Sequence, residues 1–377
     1  MHYFDHNATA PLRAEARDAW MQAVDESWLN PSAPYLQASS VRVRLENARE
    51  QLAGRIGCQQ QEVVFNSGAT EGNNAVVRYL GRTCPPGRRI LVSALEHPSV
   101  LEPARRLGRD VVQWIGTYPD GTVDLEHLQN ELSCGDVHAV SVMAANNETG
   151  VLQPWREILE SCRAAGVYYH CDAVQWIGKL ACQDMGAVDF LTGCAHKFGG
   201  PKGCGFLKLP AGLDDFSMAH GGAQEGGYRA GTEDYPSIAS MLAALEVASP
   251  LDGRLRDVFE AGVAGMIPDV EVIGSDAERL GNTSMLILPD YPNTRWVNRL
   301  ARRGFLVSTG SACATAKEGP SHVLAAMGVP PELASRTVRV SSGPQTDTGQ
   351  WESLAKAFGE VFSELQQDER SSGTITV

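Results

Sequence analysis

The chain is poor in lysine: among 377 residues only Lys179, Lys197, Lys202, Lys208, Lys317 and Lys356 occur. It has no cluster of basic residues, and its formal net charge is -13. Recognition of a nucleic-acid backbone depends on clustered cations, so that class of partner is excluded. No apolar run is long enough to span a bilayer, so a membrane partner is not expected either. The N-terminus, Met1-His-Tyr-Phe-Asp-His-Asn-Ala-Thr-Ala10, lacks the basic-then-apolar pattern of a secretory signal. Nine cysteines, an odd number, form no C-x-x-C pair. The expectation is a reduced, soluble, cytoplasmic protein in which most cysteines are small buried hydrophobes. Internal repeats and low-complexity tracts are also missing.

Hydrophobic residues make up 43% of the chain and charged residues 20%, enough for a large core and for two or three units of ordinary size. From about residue 60 to 210 short apolar runs alternate with helical stretches. The runs at 62–65, 89–93, 110–115, 138–143, 167–170, 190–192 and 205–208 read as strands. Segments such as 152–165 carry the 3.6-residue period of covering helices. This order predicts an α/β fold, a mostly parallel sheet between helices, with ligands beyond the carboxyl ends of the strands. Residues 14–55 read as a helix-rich lead-in broken at Asn30-Pro-Ser-Ala-Pro34. After about residue 250, strands at 271–273, 283–288 and 337–341 suggest a smaller second unit. A last amphipathic helix is expected at 351–365, followed by a mobile polar tail at 366–377.

The turns after the strands carry the chemistry. Lys197 sits in Ala195-His-Lys-Phe-Gly-Gly200, just past an apolar run, and Asp172 ends the preceding one. A lysine amine able to form a Schiff base, with an acidic partner for a pyridine nitrogen, is what pyridoxal phosphate requires. The plain alternative is a surface lysine in a Gly-Pro turn. Asn66-Ser-Gly-Ala-Thr-Glu71 follows a strand and opens a helix, which suits a phosphate cradle as well as an ordinary capped helix. His97 can stack on a flat ring and move protons, or simply start a helix. Asn147 can bond a ring hydroxyl or a carboxylate, or belong to a plain turn. Asp172 and Gln175 end a fourth strand and Lys197 a fifth. Cys313 lies in Ser308-Thr-Gly-Ser-Ala-Cys-Ala-Thr-Ala316, a run of small residues expected to be exposed, where a thiol can act as a nucleophile or have no role. Arg339 is a single cation in a strand, suited to a substrate carboxylate or to a structural ion pair.

Together these runs resemble the cysteine desulfurases of the NifS/IscS type, class V members of the fold-type I pyridoxal phosphate enzymes. The likeness begins at Tyr3-Phe-Asp-His-Asn-Ala-Thr9 and passes through Ser67-Gly-Ala-Thr-Glu71, Glu96-His97, Asn146-Asn-Glu148, Asp172-Ala-Val-Gln175 and His196-Lys197. It continues through Arg229-Ala-Gly-Thr232 and the Ser-Ala-Cys loop to Arg339-Val-Ser341. The resemblance implies a large domain at 14–250, with a small one built from 1–13 and 251–377 that carries the cysteine loop. It implies that L-cysteine gives L-alanine and a persulfide on Cys313, handed to an acceptor protein, an iron–sulfur scaffold among the options. Pyridoxal 5'-phosphate would form its Schiff base with Lys197. Asp172 would protonate the ring nitrogen, Gln175 would bond the ring hydroxyl, and His97 would stack on the ring and shuttle protons. Ala69, Thr70, Cys194 and His196 would hold the phosphate. Thr232 would reach the phosphate of a partner subunit, making the active unit a homodimer. Arg339 and Asn147 would hold the substrate carboxylate.

The chain departs from this pattern in places. Cys194 stands where the family usually has serine, and Gly226 where it usually has a basic residue. Ser342-Gly-Pro-Gln345 lacks the usual Gly-Arg-Phe-like run, and the tail is unlike the scaffold-binding segment of housekeeping members. Another class V activity (selenocysteine lyase or transaminase) and a cofactor-free binding protein stay open as alternatives.

Overall fold

The computed structural model describes residues 1–310 and 321–372, the last two through their backbone alone. The strands are β1 (His2–Tyr3), β2 (Val63–Asn66), β3 (Arg89–Ser93), β4 (Val112–Ile115), β5 (Val137–Ser141) and β6 (Tyr168–Asp172). They continue with β7 (Phe190–Cys194), β8 (Gly205–Lys208), β9 (Glu271–Val272), β10 (Thr283–Ile287), β11 (Phe305–Leu306) and β12 (Thr337–Ser341).

Seven of them form one sheet in the order β2-β8-β7-β6-β5-β3-β4. Only β8 runs against its neighbours, β2 and β7; the other pairings are parallel. The strands are nearly all apolar because both faces are covered, as parallel sheets require. Alternate residues feed two cores: Val63, Phe65 and Leu91 enter one, Val64, Ile90 and Val92 the other. The predicted α/β architecture with a mostly parallel sheet is therefore the observed one.

A second, three-stranded antiparallel sheet, β12-β10-β9, packs with helices Gly253–Met266 and Thr348–Ser372. Its core is aromatic, centred on Phe259, Trp296, Trp351 and Phe358. The N-terminus joins this C-terminal half: β1 pairs in parallel with β11, and Phe4 is buried in the same core. The chain then crosses to the large sheet at Asn7–Thr9, so the first nine residues bridge the two sheets.

The last helix departs from expectation. It does not end at Leu365 before a mobile tail but runs from Thr348 to Ser372. Glu360, Glu364 and Asp368 recur every four residues and meet Arg299 and Arg303 of helix Asn293–Arg302. Tyr291 adds a hydrogen bond to Glu369 at 2.8 Å. This row of ion pairs holds the polar turns against the body. The rest of the expected tail, 373–377, lies outside the described residues.

Candidate active site

The turns after β2, β3, β5, β6 and β7 open on one cleft of about 900 Å³, within the size range of small-molecule sites. Ala69, Thr70, His97, Asn147, Asp172, Gln175, Cys194, His196, Lys197 and Arg339 all line it. The opposite wall comes from Asn7–Thr9, Ser321, His322 and Arg339. Two expected residues are not among them. Thr232 is exposed and off the cleft, and Cys313 lies outside the described residues.

At the end of β2 the chain turns through Gly68, whose φ of 137° is a conformation that side chains disfavour. Asn66 Oδ1 accepts from the Gly68 amide at 2.9 Å, and Glu71 Oε2 accepts from the Ser67 amide at 2.8 Å. Gly205 on β8 lets this turn approach, since a Cβ there would fall 2.7 Å from Gly68 Cα. Helix Ala69–Thr83 then starts over the cleft with its amides toward any anion.

Lys197 closes the short turn after β7. Its Nζ donates to the carbonyls of Asn7 at 2.6 Å and Ala8 at 2.9 Å. Asp172 is the buried last residue of β6. Its Oδ1 accepts from the Val174 amide at 3.0 Å and its Oδ2 from Asn73 Nδ2 at 2.7 Å. Gln175 Nε2 donates to the Asn7 carbonyl at 3.0 Å.

His97 caps helix Pro98–Leu107. Its Nδ1 accepts from the Ser99 amide at 3.1 Å, which places the proton of the neutral ring on Nε2. Burial lowers its pKa; Lys197 and His322 lower it further, while Asp172 opposes them. Cys194 Sγ faces the backbone amides of Lys197 and Ala69, and burial pushes its thiol up to about 12, so it stays protonated. His196 Nδ1 meets Thr9 Oγ1 at 3.1 Å, and burial, followed by Lys197 and Lys202, lowers its pKa to about 4.

Arg339 is fully buried on β12 and is not a bare cation. Its Nη2 pairs with Asp5 Oδ1 at 2.6 Å, and its Nη1 donates to the carbonyls of Asn147 and Gly310, each at 2.9 Å. Its buried Nε has no hydrogen-bond partner among the described residues. Of the two alternatives set out for this residue, the structural ion pair is present, with Asp5.

Sequence reasoning missed Asn73 and Ser99. Asn73 Nδ2 donates to Asp172 and also to Ser99 Oγ at 2.9 Å, and Ser99 Oγ lies 2.8 Å from His97 Nδ1. Asn73 Oδ1 meets His170 Nε2 at 3.2 Å, and Ser141 Oγ meets His170 Nδ1 at 2.8 Å. Burial takes His170 down to about 3, so it is a neutral donor to Asn73. One asparagine therefore ties the carboxylate of Asp172 to the ring of His97. Its position one turn into the helix opened by Gly68 was the available clue. Glu225 was missed as well. Held at φ 50° by Arg49 (2.6 and 2.8 Å) and by the Phe65 amide (2.7 Å), it pins the segment that leads to Thr232.

A lysine amine, a buried carboxylate and a helix start face one cleft, with open space where a Cβ of Gly68 or Gly203 would stand. This donor set fits pyridoxal phosphate.

The model of the class-V aminotransferases matches residues 2–354, and the chain belongs to that family of pyridoxal phosphate-dependent enzymes. Within it, the chain is similar to the NifS/IscS-type cysteine desulfurases. It is 36% identical to cysteine desulfurase IscS of Dictyoglomus turgidum over 91% of this chain and 90% of that protein. It is 35% identical to a cysteine desulfurase of Cereibacter sphaeroides over 97% and 96%. A solved NifS-like protein superposes with a TM-score of 0.87 at 29% identity, covering 96% of this chain and 99% of that one.

Proposed function

We propose that this protein is a cysteine desulfurase that converts L-cysteine to L-alanine, with Cys313 receiving the sulfur as a persulfide. The observation that carries this reading is the convergence of Lys197, Asp172 and the Gly68 turn on the cleft that Arg339 closes from the other side. Pyridoxal phosphate, when bound, supplies an electron sink for charge developing beside the substrate nitrogen.

The chain's own residues do the rest. Lys197 would anchor the cofactor through its amine and release it to the substrate amine. Asp172, held by Asn73 and the Val174 amide, keeps the pyridine nitrogen protonated. Gln175 donates to the ring hydroxyl. His97 would face the cofactor ring and move protons at Nε2. Ala69, Thr70, Cys194 and His196 would hold the phosphate, and Arg339 with Asn147 would hold the substrate carboxylate; the Nε of Arg339, without a partner among the described residues, supports that role. The substrate's C–S bond breaks and an S–S bond to Cys313 forms. The carbon gains a proton and electrons as the thiol is oxidised, so no outside oxidant is needed.

Thr232 serves a second copy, so the active unit is a homodimer. Large exposed apolar side chains on the first two helices and their connection, Trp28 at 72% and Leu36 at 83% among them, support such a contact. The persulfide passes to an acceptor protein for iron–sulfur assembly or thiolation in the cytoplasm. The division into 14–250 and 1–13 with 251–377 belongs to this reading. No helix among the described residues is long and apolar enough to cross a membrane.

The test is alanine and sulfide release from L-cysteine plus a reductant, with wild type and Cys313→Ser side by side. Equal amounts from wild type only are expected. A yellow protein that releases neither would move the assignment to another class V reaction, and equal rates from both would remove Cys313 from the chemistry.

A further inference from the structure

One buried lysine has no part in the reaction described above. Lys179 follows β6 by seven positions and lies four residues after Gln175, and it is 7% exposed. Its Nζ donates to Asn7 Oδ1 at 2.7 Å and to Gln175 Oε1 at 2.5 Å. No carboxylate is among its hydrogen-bond partners in the described residues. Burial, then Lys197 and Arg339, lower its proton affinity, with Cys194 acting the other way. An amine kept in such surroundings costs stability unless it is bound to fixed acceptors, and the two acceptors here belong to residues that face the cleft.

The consequence lies in the asymmetry of an amide. A lysine amine donates and a side-chain amide has one accepting and one donating end, so Lys179 decides which end of each partner points where. With Oε1 of Gln175 held by Lys179, Nε2 must point the other way. One of its hydrogens goes to the Asn7 carbonyl at 3.0 Å, and the second is left for the cleft. With Oδ1 of Asn7 held by Lys179 and by Asn282 Nδ2 (3.2 Å), Nδ2 of Asn7 goes to Thr283 Oγ1 at 2.9 Å. That fixes the segment whose carbonyls hold Lys197.

We propose that Lys179 is a positioning residue: it orients the Gln175 amide as a donor into the cleft and clamps the Asn7 segment that carries Lys197. The inference rests on the cleft being a pyridoxal phosphate site.

The test is a double-mutant cycle on the full chain, using Lys179→Met, Gln175→Met and the pair. It reads the dissociation constant of pyridoxal phosphate from the apoprotein and the pH midpoint of the visible band of the loaded protein. Each single change should weaken cofactor binding roughly tenfold and raise the midpoint, since a hydrogen bond to the ring oxygen is lost. The double variant should bind within about twofold of the weaker single variant, because coupled residues are not additive. Penalties that multiply would overturn the proposal, since Lys179 would then act without Gln175.

Gln175→Glu gives an independent reading if Lys179→Met does not fold. Lys179 would keep one carboxylate oxygen and the other would face the cleft, so binding should fall at least as far as in Gln175→Met. Affinity equal to wild type would overturn the proposal. A wild type that takes up no cofactor and stays colourless would overturn the site reading itself, an outcome distinct from either of these.

Discussion

The wall made by the ends of β2, β3, β6 and β7 and the wall made by Asp5, Asn147 and Arg339 hold their side chains by different means. In the first, Asp172 and His97 are fixed from within one sheet and its covering helices, while Lys197 and Gln175 also reach the carbonyls of the Asn7–Ala8 segment. Asn73 joins Asp172 and Ser99, and His170 sits behind them in the same core. In the second, a single guanidinium gathers Asp5 from the N-terminus, Asn147 from the turn after β5 and Gly310, three positions before Cys313. The first wall is thus organised mainly by one sheet, with the Asn7–Ala8 segment bracing Lys197 and Gln175. The second wall exists only when the N-terminal segment and the second sheet are docked. Damage to the first should appear in cofactor retention, and damage to the second in the handling of cysteine.

The largest expected effect is on the second wall. Arg339→Leu should lower kcat/KM for L-cysteine by about 100-fold or more, because a charge-assisted contact to the substrate carboxylate is lost. The cofactor dissociation constant should stay within about twofold of wild type. Steady-state alanine formation beside cofactor titration checks both, and an equal loss of cofactor affinity would erase the distinction between the walls.

A smaller effect tests the first wall through pH. His170 is held near 3 by burial, against an ordinary 6.5. Between those values the unfolded chain binds a proton at this site and the folded chain does not. Stability from this group is therefore complete above 6.5 and is lost as the pH falls toward 3, at up to about 1.4 kcal/mol per unit. His170→Gln should lower the Tm at pH 7 by a few degrees through the altered bond to Asn73. It should also show a shallower fall in Tm between pH 6.5 and 4.5, measured by calorimetry. Parallel curves for the two proteins would mean that His170 takes up its proton in the folded state.

The smallest effect sharpens the first wall. Cys194 presents a protonated thiol to the amides of Ala69 and Lys197, and a thiol is a weak donor to an anion. Cys194→Ser should tighten pyridoxal phosphate binding about two- to fivefold, seen as slower cofactor loss on dialysis, with little change in KM for cysteine.

Much of the large sheet was legible because its strands are short β-rich runs bounded by turn residues, a signal that does not depend on distant contacts. The runs at 89–93 and 205–208 coincide with β3 and β8, and the run at 337–341 coincides with β12 of the second sheet. Lys197, Asp172, Gln175 and His97 were legible for a related reason: each follows an apolar run, where a parallel sheet places its ligands. Asn73 was not, because a polar residue inside a helix carries no sign of which strand end it will meet. The extension of the last helix to Ser372 was hidden as well, since its acidic row makes sense only beside Arg299 and Arg303.

Local pattern and residue chemistry in the sequence determined the alternation of strands and helices and the amine and carboxylate at two strand ends. Tertiary structure alone decided that Asp5 would meet Arg339, that Lys179 would bridge Asn7 and Gln175, and that Asn73 would join His97 to Asp172. The physical reason is that a hydrogen bond or ion pair between buried groups is set by which segments the two cores bring within about 3 Å. Positions separated by tens or hundreds of residues acquire that proximity only when the apolar surfaces beneath them pack.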